Sequence, residues 1–207
     1  MRMGLAIVPF AWACSSRPVK TIGNLRNAVL YERGAAERCR ACAVRAQEEG
    51  CFDAARLFAA LARSEEIQAE HQLRLLNGYG ERMAWEALPV DSIGPIESTR
   101  INLENARRME SYKMLTAFPI FEQTAAAEGV DEAVRLFRML TILAERHEAC
   151  FRRTLEGPGR DTAAGSWSVC ARCGGLFAPE TTLPERCEIC EMPVSVAVEA
   201  VIPDRVP

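Results

Sequence analysis

Between residues 24 and 50, small and apolar side chains recur at helical spacing. They run through Leu25, Ala28, Val29, Ala35, Cys39, Cys42 and Ala43, with charged residues between them and no proline. In a segment dominated by Ala, Leu, Arg and Glu, that period predicts an amphipathic helix. Gly50 is placed to end it, as a glycine in the left-handed conformation commonly does. Asp53 opens a second run, through Leu57, Phe58, Leu61, Ala62 and Gln68 to Leu75, which Asn77-Gly78 stops.

The pattern then returns. Asn24-Leu25-Arg26-Asn27-Ala28, leading to Glu32, recurs 78 positions on as Asn102-Leu103-Glu104-Asn105-Ala106, leading to Glu110. Glu49-Gly50 and Arg56-Leu57-Phe58 recur 79 positions on as Glu128-Gly129 and Arg135-Leu136-Phe137. A repeat at one offset marks a duplicated supersecondary unit. The expectation is therefore two helical hairpins, about 22–77 and 101–156, and an all-α core of four helices. Pro119 falls inside the third helix and should bend it or sit at a bulge. Residues 79–100 carry Pro89, Gly94 and Pro95 and no helical period beyond a turn around Trp85. A connection that long crosses a bundle from end to end, so the second and third helices should run parallel.

Composition narrows the picture. The 207 residues are 49% apolar, with a net charge of -3. That is enough for one ordinary domain and a small second one. Neither a nucleic-acid face nor a polybasic membrane anchor fits that charge, and no apolar run is long enough to span a bilayer. Four segments result: an extension at 1–20, a bundle at 21–158, a linker at 159–167 and a small domain at 168–207. Gly4 to Ala13, with Ala13-Cys14 after it, resembles a short signal-peptide core. The expectation is an extension without structure in a cytoplasmic protein; export is the alternative if residues 1–14 act as a signal.

Nine cysteines is a high count. Cys170-x-x-Cys173 and Cys187-x-x-Cys190, 13 residues apart, have the spacing of a tetrahedral four-thiolate metal site. The segment is too small to fold on burial alone, so the metal would supply its folding energy. Gly174 and Gly175 free the backbone to turn its N–H groups toward the sulfurs. Iron and zinc both suit such a site. Residues 194–201 have the makings of a short edge strand. Cys39-x-x-Cys42 lies mid-helix, where thiols pack as small hydrophobes, and Cys51 and Cys150 are read the same way.

In dimetal-carboxylate bundles two helices each give a Glu and the other two each give Glu-x-x-His. The repeat maps Glu32 onto Glu110, Glu65 onto Ala144 and Gln68 onto His147. At these residues the chain resembles the rubrerythrin family over about residues 21–192. The likeness rests on the repeat, the long crossover, Phe118-Pro119 where the family usually has Tyr-Pro, and the paired CxxC motifs. It implies a ferritin-like four-helix bundle with a long crossover, followed by a rubredoxin-like (zinc-ribbon) domain. It implies Glu32, Glu65, Glu110 and His147 as bundle metal ligands, with Glu65 the bridging and catalytic carboxylate. Cys170, Cys173, Cys187 and Cys190 would hold iron. The family's activity is hydrogen peroxide reduction with electrons from a redox donor protein, often in a head-to-tail homodimer.

The departures from that pattern carry as much weight. Gln68 stands where the family has His, Ala144 where it has the second bridging Glu, and Lys113 where it has a further Glu. Cys39 stands where an aromatic is usual. His71 is a second candidate for the missing histidine, at the cost of a register shift of three. Three carboxylates less one ammonium leave a charge of about -2, which one divalent cation balances and two overload. The expectation is at most one iron or other divalent metal in the bundle, with Lys113 paired to Glu32 or Glu110 instead. The function expected is an iron-binding oxidoreductase with a degenerate dimetal site. The alternatives are an electron-transfer protein whose bundle is non-catalytic, and a zinc-ribbon interaction module.

Overall fold

The computed structural model describes residues 17–83, 94–157, 166–194 and 197–199. The Trp85 turn, most of the 1–20 extension and most of the 159–167 linker lie outside them. Helix α1 (Val19–Glu48) and helix α2 (Phe52–Gly78) form the first hairpin. Gly50 makes its turn at φ 73°, where a side chain would be strained. The second hairpin pairs α5 (Asp131–Glu156) with a rod in three pieces. These are α3 (Thr99–Tyr112), a π-helical turn over Lys113–Ala117, and α4 (Phe118–Ala127). The bulge expected at Pro119 is this π turn. The proline follows it in the first turn of α4, where its missing N–H costs least.

The duplication explains how two helices begin. Neither Pro18 nor Ser98 caps its helix with a side chain. Glu128, from the second hairpin's turn, accepts hydrogen bonds from the Lys20 and Thr21 amides at 3.1 and 2.7 Å. Glu49, from the first hairpin's turn, accepts one from the Thr99 amide at 2.8 Å. Each Glu-Gly of the repeat thus supplies an anion to the positive N-terminus of the opposite hairpin.

Two apolar clusters fill the bundle. One holds Leu25, Val29, Leu76, Phe118, Phe137 and Leu140, and the other Ala46, Phe58, Leu61, Leu103 and Phe151. Every helix passes from one cluster to the other through a polar residue: Glu32, Glu65, Glu110 with Lys113, and His147. In α1 the buried position is Ala36, not Ala35, so the apolar face turns by one residue there. Cys39 and Cys42 pack in the second cluster as expected, with Cys150 against it. Cys51 does not: it is exposed, at the residue preceding α2, where the chain reverses.

The C-terminal unit is a three-stranded antiparallel sheet, β1 (Ser168–Cys170), β2 (Leu176–Phe177) and β3 (Ala197–Glu199), in the order β2-β1-β3. β3 is the edge strand expected near the C-terminus. Trp167 and Val169 pack into the second bundle cluster, and the Arg153 guanidinium lies 5.7 Å from the Trp167 ring. No helix among the described residues is long and apolar enough to cross a membrane.

Candidate metal centres

The two cysteine pairs fold into matching knuckles. In the first, Gly174 N–H bonds to the Cys170 carbonyl at 2.9 Å; in the second, Glu191 N–H bonds to that of Cys187 at 2.8 Å. The fifth residue of each knuckle has positive φ, 84° at Gly174 and 57° at Glu191. The Cys170–Cys190 and Cys173–Cys187 sulfurs lie 3.9 and 3.6 Å apart, and all four fall within 4.8 Å of one another. Four thiolates around a tetrahedral ion at about 2.3 Å need sulfurs about 3.8 Å apart, so the donor set fits one such ion. Burial pushes the Cys173 thiol up. Burial also works upward on Cys187, but the Cys190 and Ile189 amides outweigh it and lower its pKa. The Gly175 amide donates to the Cys173 sulfur at 3.4 Å, the use expected of the glycine pair.

The second centre lies where the polar layer crosses the bundle. Glu32, Glu65, Glu110 and His147 converge there, all at or below 3% exposure. Lys113, 1% exposed, reaches the middle of them. Its ammonium is 2.5 Å from Glu32, 3.0 Å from both oxygens of Glu65 and 3.0 Å from Glu110. The expectation named Glu32 or Glu110 as its partner; it takes both and Glu65 besides. Lys113 is also the first residue of the π turn, a distortion common at functional sites in helices.

Electrostatics follow from that placement. Burial would neutralise Lys113, but the carboxylates of Glu110, Glu32 and Glu65 outweigh it and raise its pKa well above the usual lysine value. Burial also opposes ionisation of Glu110, yet Lys113 and His147 hold its carboxyl down at about 2. On Glu32, burial and the Glu65 charge prevail over Lys113 and raise the pKa well above the carboxylate range. The Lys113 ammonium thus offsets part of the negative charge of the buried acids. Lys113 stands between the acids, and Ala144 brings no donor where the repeat has Glu65.

A smaller donor set remains. His147 Nδ1 lies 3.3 Å from Glu65 and 3.5 Å from Glu110, and neither it nor Glu110 Oε2 has a hydrogen-bond partner among the described residues. The ligand atoms of Glu65, Glu110 and His147 group within 4.8 Å. Glu32 stands outside this triad. So does His71, whose Nε2 meets the Arg172 carbonyl and whose Nδ1 accepts from Arg74 at 3.0 Å. The register shift that would have made it a ligand does not occur. Ser64 is the participant that sequence reading missed. It is fully buried between His147, Gln68 and Gly174, and nothing in the repeat pointed to it.

A duplicated helical bundle with a carboxylate layer, joined to a four-thiolate knuckle pair, defines a class of metal-dependent redox proteins. The rubrerythrin family model matches residues 23–155, well over half of the chain, and the chain belongs to that family. The family is one of iron-binding oxidoreductases. Nigerythrin of Nitratidesulfovibrio vulgaris is 29% identical over 177 residues, covering 84% of this chain and 83% of the relative. Rubrerythrin of the same organism is 28% identical over 180 residues, covering 84% and 91%. A nigerythrin structure described as fully reduced and all ferrous superposes with a TM-score of 0.78 at 23% identity, over 96% of this chain and all of that one. A partially reduced nigerythrin gives 0.69 at 24% identity, with the same coverage.

Proposed function

We propose that this chain is an electron carrier of the rubrerythrin family. Its redox centre is iron held by Cys170, Cys173, Cys187 and Cys190, and its bundle is balanced by Lys113 in place of two metal ions. One observation carries this reading: the Lys113 ammonium stands within 3.0 Å of all three buried carboxylates. Iron bound by four thiolates supplies one-electron exchange. The chain's own residues hold that site, shield Cys173 and Cys187 from water, and dock it on the bundle beside Ser64. The free thiols of the described residues suit a reducing, cytoplasmic setting and a redox donor protein as partner.

Metal quantification on purified protein tests the reading. The expected result is about one iron per chain, a red protein, and no accelerated reoxidation by hydrogen peroxide. About three irons per chain, with rapid peroxide turnover, would overturn it. A second reading keeps the peroxide chemistry at a single ion on Glu65, Glu110 and His147, with Glu65 as catalytic carboxylate. The unpartnered His147 Nδ1 and Glu110 Oε2 favour it. About two metals per chain would select this reading over the first.

A further inference from the structure

The hydroxyl of Ser64 carries three hydrogen bonds at zero exposure. It donates to the Gly174 carbonyl at 2.6 Å. A hydroxyl has one proton, so its other partners must donate to it. These are Gln68 Nε2 at 3.1 Å and His147 Nε2 at 3.0 Å. His147 therefore donates to Ser64 through Nε2, and its Nδ1 faces the carboxylates of Glu65 and Glu110. The peptide that accepts from Ser64 has its other end on the metal site, since the Gly175 N–H of that peptide donates to the Cys173 sulfur at 3.4 Å. One hydroxyl and one peptide group thus join the bundle's polar layer to a thiolate.

This contact demands glycine. A Cβ on Gly174 would lie 2.8 Å from the Ser64 carbonyl oxygen and 3.0 Å from its hydroxyl, at a backbone φ of 84°. Hydrogen bonds in series polarise one another, so a donor on the Gly174 carbonyl strengthens the Gly175 N–H as a donor. Hydrogen bonds to the sulfurs are among the factors that set the potential of thiolate-bound iron. The reduced site carries one more negative charge than the oxidised site, and a stronger N–H bond favours it.

We infer that Ser64 is a positioning residue that raises the reduction potential of the four-cysteine site from inside the bundle, by polarising the 174–175 peptide that donates to Cys173. The inference rests on the reading of that site as a metal–thiolate centre. The test compares Ser64→Ala and Ser64→Thr with the unmodified protein. In the iron form, Ser64→Ala should weaken reduction about three- to tenfold, a fall of about 30 to 60 mV for one electron. Ser64→Thr, which keeps the hydroxyl, should return the potential toward its starting value. In the zinc-loaded protein, the Gly175 amide proton should move upfield in Ser64→Ala, while the Glu191 amide of the other knuckle stays in place. The zinc measurement needs no redox activity, so it decides the matter even if the electron-carrier reading fails. An unchanged potential, or a Gly175 amide that does not move, overturns the inference.

Discussion

Replacing Lys113 with alanine removes the ammonium that the buried Glu32, Glu65 and Glu110 face. The expected cost in metal-free protein is about 3–5 kcal/mol, the range for leaving buried charge without its partner. Chemical denaturation measures it. The same variant should take up a divalent cation at Glu65, Glu110 and His147, with a rise in melting temperature on titration with ferrous or zinc ion. Glu110 makes the pH dependence explicit. Its folded pKa is held at about 2, below its unfolded value. Its contribution is therefore present above the ordinary carboxylate range and is lost as pH falls toward 2. Stability profiles of the unmodified protein and of Glu110→Gln should converge over that interval and separate above it. The convergence of Glu32, Glu65, Glu110 and His147 on one layer was legible because the repeat aligns Glu32 with Glu110 and Gln68 with His147. Ser64 was not legible: two of its three partners lie 83 and 110 residues away, and a serine in a helix carries no spacing signal.

Elements were easier to read than their junctions. Both hairpins followed from the 3.6-residue period, and Pro119 announced a distortion in the third helix. Its form, a π turn beginning at Lys113, depends on what that side chain must reach, which no local pattern records. The exchange of caps was hidden in the same way. Glu49-Gly50 and Glu128-Gly129 stood out as repeats, but each glutamate serves a helix from the other hairpin. Hydrogen bonds from Thr99 lower the Glu49 carboxyl pKa, and hydrogen bonds from Thr21 lower that of Glu128. Glu49→Gln and Glu128→Gln should each lower the melting temperature at neutral pH and lose that effect in acid. At the knuckle, Gly174→Ala places a methyl group against Ser64 and forces a strained backbone. It should loosen the contact between the C-terminal unit and α2, seen as faster proteolysis around residues 166–194 with helical content unchanged.

The molecule joins two units with different sources of stability. The bundle buries two apolar clusters and sets the Lys113 ammonium among the acids of its polar layer. The C-terminal unit has a short sheet and a small cluster around its cysteines, so an ion held by those cysteines would supply much of its order. A chelator strong enough to strip that ion should abolish the signals of residues 166–194 and leave far-UV helicity nearly intact. The division was visible in the sequence as a change from helical period to paired CxxC motifs. The contacts of Trp167 with Arg153 and of Gly174 with Ser64 were not, because docking between units is set by shape rather than by period. The buried lysine has a consequence for the cell's supply of the protein. A cage that brings its own counter-ion can mature where iron is scarce, so the helical part should accumulate equally in starved and replete cultures, while the colour of the product tracks the medium.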